Sequence, residues 1–438
     1  MIIQPPGEAP SLSGHPARRT PDVVPDGRIS GAPARAAKGR HLRAALAAVV
    51  LVALALAGGA SYADRTETRY IHALAPDLSQ QKGLGSALPI AAFRQPDLLP
   101  VYGSSELDHY LGPYHASELF RTYPSGFTIF PIRKDGTAAL TLLQDLAGVG
   151  PDLRGKKLVI SLSLTWFIFG DAASPEYYAG NFSRLHAGQL AFSTDLSLDL
   201  KHDAATRMLQ FPATLEQDPL LKLGLETLAD GSVWSRGLYY LLLPLGKLQN
   251  LVLRLQDHWE TLTYIRQRPD LSPEVPRQAR PLDWPSLLAG AEREARQAAD
   301  SNRFGFENPY WQAYGDKLTQ QKSQHSDPTF LRAVRQAVGW ADFDLMLRAL
   351  RELGARPLIL SAPIKGLYYD YWGVSGPARR AYYQRVRELV AARDLQSVDF
   401  AEFDLDPYFV GDYRSHLSAK GWAHFAQAMD AFQHGTPR

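Results

Sequence analysis

The chain has 438 residues, no cysteine, and 47 Lys and Arg residues against 45 Asp and Glu, which leaves a net charge of +2. The lack of cysteine excludes disulfides, thiolate metal sites and cysteine nucleophiles, so an apolar core must stabilise the folded part. The nearly neutral charge provides no chain-wide basic field, and we expect no nucleic-acid partner.

The N-terminal segment is rich in Pro, Gly, Ala and Arg and has no hydrophobic period. This composition predicts a disordered tail over 1–41. The uncharged run Ala44 to Ala63 follows, bounded by Arg43 and Asp64. At about 1.5 Å per residue this run spans roughly 30 Å, the thickness of a bilayer core, and predicts one transmembrane anchor over 42–63.

Basic residues precede the anchor, and no acid stands between Asp26 and Asp64. The positive-inside rule therefore places the tail in the cytoplasm and the larger C-terminal part outside it, which is the periplasm in a cell with two membranes. A cleaved signal peptide is the alternative, because Ser61-Tyr62-Ala63 has the small residues of a cleavage site. The long charged region before the run favours the anchor. Residues 64–95 are expected to be a linker.

Apolar runs alternate with helical patterns from residue 96 onward, as in an α/β sheet. Two segments with helical spacing, Thr137 to Leu146 and Arg379 to Arg393, connect predicted strands as crossovers, so the sheet should be mostly parallel. The predicted strands are Leu98 to Tyr102, Phe127 to Ile132, Leu158 to Phe167, Pro357 to Leu360 and Ser397 to Phe400. We therefore expect one α/β domain over 96–438.

Long helical patterns interrupt this alternation over about 184–345, and we predict a helical insertion there. The insertion contains an apolar run, Leu238 to Leu245, with Pro244 inside it. Such a run could lie on a membrane or a partner. Burial within the insertion is the expectation, because large apolar side chains are mostly buried.

A serine follows the first predicted strand in the segment Gly103-Ser104-Ser105-Glu106-Leu107, and Asp412 and His416 stand near the end of the domain. A strand that ends in a glycine turn can hold a serine hydroxyl at the sheet edge, where a histidine can take its proton. The alternative is that Ser105 only caps the next helix.

Several segments together resemble the DltD family, in the same order, over about residues 42–433. They are Gly103 to Leu107, Ser163 to Phe167, Gly180 to Ser183, Pro363 to Tyr371 and His416 to Trp422. The resemblance implies one N-terminal anchor and an extracytoplasmic SGNH-hydrolase-like domain, a flavodoxin-like α/β fold. It also implies a part in D-alanylation of teichoic acids beside a membrane-bound O-acyltransferase, with an acyl carrier protein as a further candidate partner.

The resemblance makes Ser105 the nucleophile and His416 the general base. A serine hydroxyl becomes a good nucleophile when a base within hydrogen-bond reach takes its proton and a carboxylate stabilises the imidazolium. The family has this acid three residues before the histidine, where Tyr413 stands here. Asp412, four residues before it, is the expected acid.

Two other carboxylates, Asp404 and Asp406, are alternatives to that acid. The oxyanion formed during acyl transfer needs fixed donors. Gly136, after the second strand, resembles the position whose backbone N–H serves in SGNH enzymes, and the Ser105 N–H is a second donor. Thr165, after the third strand, is either a third donor or a packing residue.

Substrate contacts are expected from an aromatic cluster after the fourth strand, at the sheet edge where ligands of open α/β sheets bind. Its rings, Tyr368, Tyr369 and Trp372, could stack on a sugar, lie at the bilayer interface, or pack against the insertion. Asn181 is a further candidate, with loop capping as the alternative role. No metal or cofactor is expected.

These residues predict a serine-dependent transfer of a short acyl group, D-alanyl or a similar unit, to a cell-envelope polymer. An esterase or thioesterase that removes such groups uses the same residues, because only the acceptor of the acyl-enzyme differs. A non-catalytic accessory protein that binds the acyltransferase or the polymer is a third interpretation.

Overall fold

The computed structural model describes residues 35–75, 85–107, 110–168, 174–268, 270–273, 278–414 and 416–435. Its strands are β1 (Leu98–Gly103), β2 (Thr128–Arg133), β3 (Lys157–Leu162), β4 (Arg356–Ser361) and β5 (Gln396–Val398). Its first helices are α1 (Arg35–Leu74), α2 (Ala87–Arg94), α3 (Ala116–Thr122), α4 (Ala139–Val149), α5 (Pro175–Asn181), α6 (Arg184–Phe192), α7 (Leu198–Met208) and α8 (Pro219–Asp230). The remaining helices are α9 (Val233–Arg266), α10 (Trp284–Ala298), α11 (Asn308–Thr319), α12 (Asp327–Gln336), α13 (Gly339–Glu352), α14 (Gly366–Trp372), α15 (Gly376–Ala392) and α16 (Ala419–His434).

The chain divides into two units after Ala57. The described part of the first unit is helical, and its apolar side chains from Leu42 to Leu56 are exposed. The segment His41–Leu74 is long and apolar enough to cross a membrane by length and composition. This result agrees with a single anchor near the predicted position. Of the predicted tail, residues 1–34 lie outside the described residues.

The second unit contains a five-stranded sheet in the order β2-β1-β3-β4-β5. All four strand pairs are parallel, with Gly103 opposite Arg133 and Tyr102 opposite Ile160. The carboxyl ends of the strands therefore meet at one edge of the sheet. The predicted α/β class with a parallel sheet is confirmed.

Both faces of the sheet are buried, as helical crossovers require. Leu98 and Tyr102 of β1 belong to one apolar cluster, which includes side chains of α4, α6, α13 and α15. Leu99 and Val101 belong to a second cluster with side chains of α3 and α16. This alternation follows the two-residue period of a strand and holds α16 beside the carboxyl end of β1.

Two predicted strands are too long. The third ends at Leu162, because the Ser163 hydroxyl accepts a hydrogen bond from the Thr165 N–H at 3.3 Å and starts a short 3₁₀ helix over Leu164–Trp166. The fifth ends at Val398, and Phe400 has a left-handed backbone with φ 49°. Each strand end is determined by a local hydrogen bond or backbone conformation, which the pattern of apolar residues does not predict.

Residues between β3 and β4 are helical wherever the structure describes regular elements, from Pro175 to Glu352. The helices do not form a separate lobe, because α6 and α13 pack on α4 and share its apolar cluster. The segment 64–95, expected as a linker, continues α1 to Leu74 and includes α2. Ile71, Leu74 and Phe93 are buried against the domain, so the described parts of this segment, 64–75 and 85–95, contribute to the core.

The expected burial of the apolar run Leu238 to Leu245 is wrong. This run lies in α9, and Leu238, Leu241 and Leu245 are 41%, 75% and 54% exposed. The helix contacts the rest of the domain through its opposite face, where Tyr239 and Gly246 are buried.

Candidate active site

The turn after β1 presents a serine hydroxyl at the sheet edge. The chain leaves β1 at Gly103 and forms a 3₁₀ turn over Ser105–Leu107. The Ser104 N–H donates to the Glu106 carboxylate at 2.8 Å, which fixes the turn. A side chain at Gly103 would put its Cβ 2.7 Å from Glu106 Oε1 and from Leu107, so a larger residue there would displace these side chains.

A loop before α16 brings the histidine to this turn. Val410 and Leu417 form an antiparallel bridge, and the Gly411 N–H donates to the His416 carbonyl at 2.8 Å. His416 Nε2 then lies 3.0 Å from the Ser105 hydroxyl oxygen. The two residues are thus within the hydrogen-bond reach that proton transfer needs.

Asp412 completes the chain of hydrogen bonds. Its Oδ2 is 2.6 Å from His416 Nδ1. Its Oδ1 accepts from the Arg414 N–H at 2.9 Å and from the His416 N–H at 3.2 Å. These backbone bonds curl the loop around the carboxylate, so an acid four residues before the histidine still reaches the outer ring nitrogen.

The alternative acids have other partners. Asp404 accepts from Arg379 Nε at 2.9 Å and from the Tyr383 hydroxyl at 2.8 Å. Asp406 pairs with Lys420 and accepts from a backbone N–H. Of the three candidate carboxylates, the structure brings Asp412 to the histidine.

The environment favours the protonated histidine. Burial alone would lower the pKa of His416, but the charge and hydrogen bond of Asp412, with a contribution from Glu106, raise this pKa above its ordinary value. Glu106 is itself buried beside the nucleophile turn, and burial raises its pKa. Such an imidazole is poised to accept a proton from the Ser105 hydroxyl.

The sequence analysis did not identify two polar residues of the site. One is Glu106, whose carboxylate braces the turn. The other is Lys365, which is buried after β4 and donates to the carbonyl oxygens of Gly305, Pro407 and Val410. Burial lowers the pKa of Lys365 to about 7. The sequence pointed to these two residues only through their positions in segments that resemble the DltD family, Gly103 to Leu107 and Pro363 to Tyr371.

Gly136 lies in the turn after β2, at the same sheet edge as Ser105. Its φ is 72°, which favours glycine, and Thr137 N–H closes the turn on the Lys134 carbonyl at 3.0 Å. Asn181 holds this turn, since its amide donates to the Asp135 carbonyl at 3.1 Å and its oxygen accepts from Thr137 Oγ1 at 3.0 Å. A small cavity there is lined by Gly103, Lys134, Thr137 and Asn181 among others.

These bonds use both polar atoms of the Asn181 amide within the protein. These contacts are those of a loop-capping residue, which is the alternative role for Asn181. Thr165 lies in the 3₁₀ turn after β3, and its hydroxyl is 2.8 Å from Ser163 Oγ. It is partly exposed at the same edge.

The aromatic cluster is packed inside the protein. Tyr368 and Tyr369 are 0% exposed and Trp372 is 8% exposed. The rings contact Phe304, Phe306, Tyr413 and His325 from the insertion and the histidine loop. Their assignment to a substrate or the bilayer surface is corrected, because rings without exposed faces cannot stack on an external ligand. They support the loop that carries Asp412.

Within the described ranges, no group of three or more His, Asp or Glu side chains is arranged to hold a metal ion. The five-stranded parallel sheet defines an α/β protein, and the positions of Ser105 after its first strand and His416 before its last helix are consistent with an SGNH-hydrolase-like fold.

Comparison with known proteins gives the family. A family model described as DltD protein matches residues 75–434. Protein DltD of Bacillus subtilis (strain 168) is 29% identical over 360 residues, which cover 82% of this chain and 87% of that protein. Protein DltD of Staphylococcus aureus (strain NCTC 8325 / PS 47) is 22% identical over 361 residues, with the same two coverages, 82% and 87%. The chain belongs to the DltD family, a family involved in D-alanylation, and the predicted resemblance is confirmed.

Proposed function

We propose that the protein uses Ser105 to accept a short acyl group, D-alanyl or a similar unit, and to pass it to a hydroxyl of a cell-envelope polymer. The observation that carries this proposal is the continuous hydrogen-bonded series Ser105 Oγ, His416 and Asp412, with distances of 3.0 and 2.6 Å. A buried carboxylate, an imidazole and a serine hydroxyl in this order are the components of nucleophilic acyl transfer.

The reaction has two halves. In the first, Ser105 Oγ attacks the acyl carbonyl carbon while His416 Nε2 takes the hydroxyl proton, and the proton then goes to the departing thiol or alcohol. In the second, the polymer hydroxyl gives its proton to His416 and attacks the acyl-serine, and Ser105 leaves as a restored hydroxyl. Asp412 stabilises the imidazolium in both halves.

Backbone donors at the sheet edge would hold the oxyanion of each half-reaction. The Ser105 N–H and the N–H of Gly136 are the proposed donors, with the Thr165 hydroxyl as a third. The rigid turns described above support this role, because donors fixed before the reaction stabilise the developing charge most strongly, by about 3 to 4 kcal/mol each.

The proposed setting is a single-pass membrane protein with a cytoplasmic N-terminus and an extracytoplasmic catalytic domain. The exposed apolar helix and the basic residues before it support this orientation. The proposed partners are a membrane-bound O-acyltransferase, an acyl carrier protein and the envelope polymer. They follow from family membership and from the need for an acyl donor and acceptor.

This orientation predicts the side on which C-terminal reporters work. A phosphatase that folds only outside the cytoplasm should be active when it is fused after Arg438, and a reporter that is active only in the cytoplasm should be silent. The matched control is the same fusion with residues 42–63 deleted, which should reverse both signals. Cytoplasmic activity of the full-length fusion would contradict the orientation.

The function predicts a specific change in the envelope. Mass spectrometry of purified envelope polymers should show that a short acyl ester disappears from cells that lack the protein and returns on complementation. An increase of the ester would instead support the esterase alternative, since hydrolysis removes what transfer adds. Unchanged ester content for every polymer would overturn both.

A further inference from the structure

Helix α9 carries an exposed apolar stripe along one side. The side chains recur at spacings of three and four residues, which places them on one face of a helix. The apolar stripe consists of Trp234, Leu238, Leu241, Leu245, Leu248, Val252 and Trp259. Trp234 is 90% exposed and Trp259 is 70% exposed. At about 1.5 Å per residue the stripe extends roughly 38 Å.

The opposite face of α9 is fixed to the domain. The Tyr239 hydroxyl donates to the Ala191 carbonyl at 2.9 Å, and Asp257 Oδ2 accepts from the Ser86 and Ala87 N–H groups at 2.9 and 2.8 Å. Gly246 packs closely, because a Cβ there would lie 2.3 Å from the Phe192 ring. The stripe therefore faces outward on a rigid helix.

The exposed charges along most of the stripe are basic, and the exposed acid Glu260 follows Trp259 at the C-terminal end of the stripe. From Val233 to Gln256 the helix contains Arg236, Lys247 and Arg254 and no acid, and all three basic side chains are exposed. At about 100° per residue they lie next to the exposed residues Val233, Tyr240 and Leu251, on one flank of the exposed apolar surface. This flank complements anionic headgroups, whereas two copies of α9 paired through the stripe would bring like charges together.

The stripe is wider than a coiled-coil seam. Val233, Tyr240 and Leu251 are also exposed and extend the apolar surface to about half of the helix circumference. A helix with a broad apolar face, terminal tryptophans and basic residues is typical of one that lies in the bilayer interface. The six charged residues of α9, three of which interrupt the segment from Val233 to Gln256, argue against a helix that spans the bilayer.

The position of α9 in the chain also favours a membrane surface. His258 Nδ1 is 2.7 Å from the Glu67 carboxylate of α1. Gly58, the first residue of the second unit, lies roughly 14 Å of helix before Glu67. The apolar segment before Gly58 is joined directly to it in the chain, so the domain is tethered to the membrane that this segment would cross.

We propose that α9 is a second membrane attachment, with the apolar stripe among the acyl chains of an anionic bilayer and the three basic residues against its headgroups. The attachment would hold the domain in one orientation on the membrane that the anchor crosses. It does not depend on the chemistry of Ser105.

The natural lack of cysteine allows a direct test with single spin labels in the full chain. A nitroxide on Leu241→Cys, in nanodiscs that contain phosphatidylglycerol and one protein copy, should be relaxed more by oxygen than by a water-soluble nickel complex. The matched control is Leu111→Cys, an exposed leucine (70%) outside α9, which should show the reverse preference. Equal nickel accessibility of the two labels would overturn the proposal.

Further arms separate the lipid from other occupants. The Leu241→Cys label should be less buried in the bilayer when three substitutions are combined, Arg236→Gln, Lys247→Gln and Arg254→Gln. The same loss of burial is expected with the natural basic residues in discs of phosphatidylcholine alone. If the label is aqueous in single-copy discs and shows spin–spin broadening in two-copy discs, a second copy covers the stripe and the proposal fails. Adding Ser105→Ala to the labelled protein should leave the oxygen and nickel accessibilities of the Leu241→Cys label unchanged. The membrane proposal can therefore fail while the catalytic proposal stands, and the reverse.

Discussion

Ser105→Ala should abolish acyl transfer, with a loss of roughly 10⁴- to 10⁶-fold in rate, because no other atom can form the acyl-enzyme. His416→Ala should lose a similar factor, since it removes the base 3.0 Å from the hydroxyl. The double variant should be no worse than either single one, because members of one catalytic unit are not additive. The measurements are the ester content of the envelope polymer in cells and the turnover of a D-alanyl thioester by purified protein.

Ser104→Ala is the matched control for this series. It removes a neighbouring hydroxyl and keeps the Ser104 N–H bond to Glu106, so both the turn and the activity should persist. The thermal unfolding of Ser105→Ala should remain near that of the natural protein, because the change removes one partly exposed hydroxyl. Full polymer acylation by Ser105→Ala at normal protein levels would exclude the nucleophile and favour an accessory role.

Asp412→Asn should reduce the rate by roughly 10³- to 10⁴-fold at neutral pH, because the imidazolium loses its carboxylate and the ring loses its orientation. The pH profile carries the sharper test. His416 must be neutral to act as a base, so natural activity should rise with pH through a pKa above the ordinary value of 6.5. Without the Asp412 charge, burial of the ring should dominate and move this rise to lower pH.

The free energy of unfolding should depend on pH through the same residue, His416. A folded pKa that is raised above the unfolded value contributes stability that is fully present below about pH 6.5 and is lost as the pH rises through the folded pKa. The difference in free energy of unfolding between the natural protein and Asp412→Asn should therefore shrink over that interval. A pH-independent difference, or an unshifted activity profile, would mean that Asp412 does not act through the charge of His416.

The match between sequence and structure is closest where the signals are local. The strand Leu98–Gly103 and the glycine turn after it follow from a short apolar run and a glycine. The parallel sheet follows from the helical spacing between strands. Errors arise where one side chain ends an element, as Ser163 does after β3.

Assignments that depend on contacts between distant parts of the chain were harder to predict from the sequence. The sequence pattern left three carboxylates open as partners of His416, and the curled loop brings Asp412 to the ring. Tyr368 and Tyr369 stand after the fourth strand, as a ligand-binding pair would, yet the insertion buries them. The pattern of α9 predicts a helix with an apolar face and does not say whether another element covers that face.

The sequence by itself determined the α/β class, the long apolar segment near the N-terminus, the order of the strands along the chain and the family, because these depend on periodicity, composition and short ordered motifs. The tertiary structure decided which acid meets His416, where Lys365 directs its ammonium group and which apolar surfaces stay exposed. The physical reason is that burial and hydrogen-bond partners depend on residues far apart in the chain. The packing of helices and strands sets the distances between such residues, and no local sequence pattern encodes these distances.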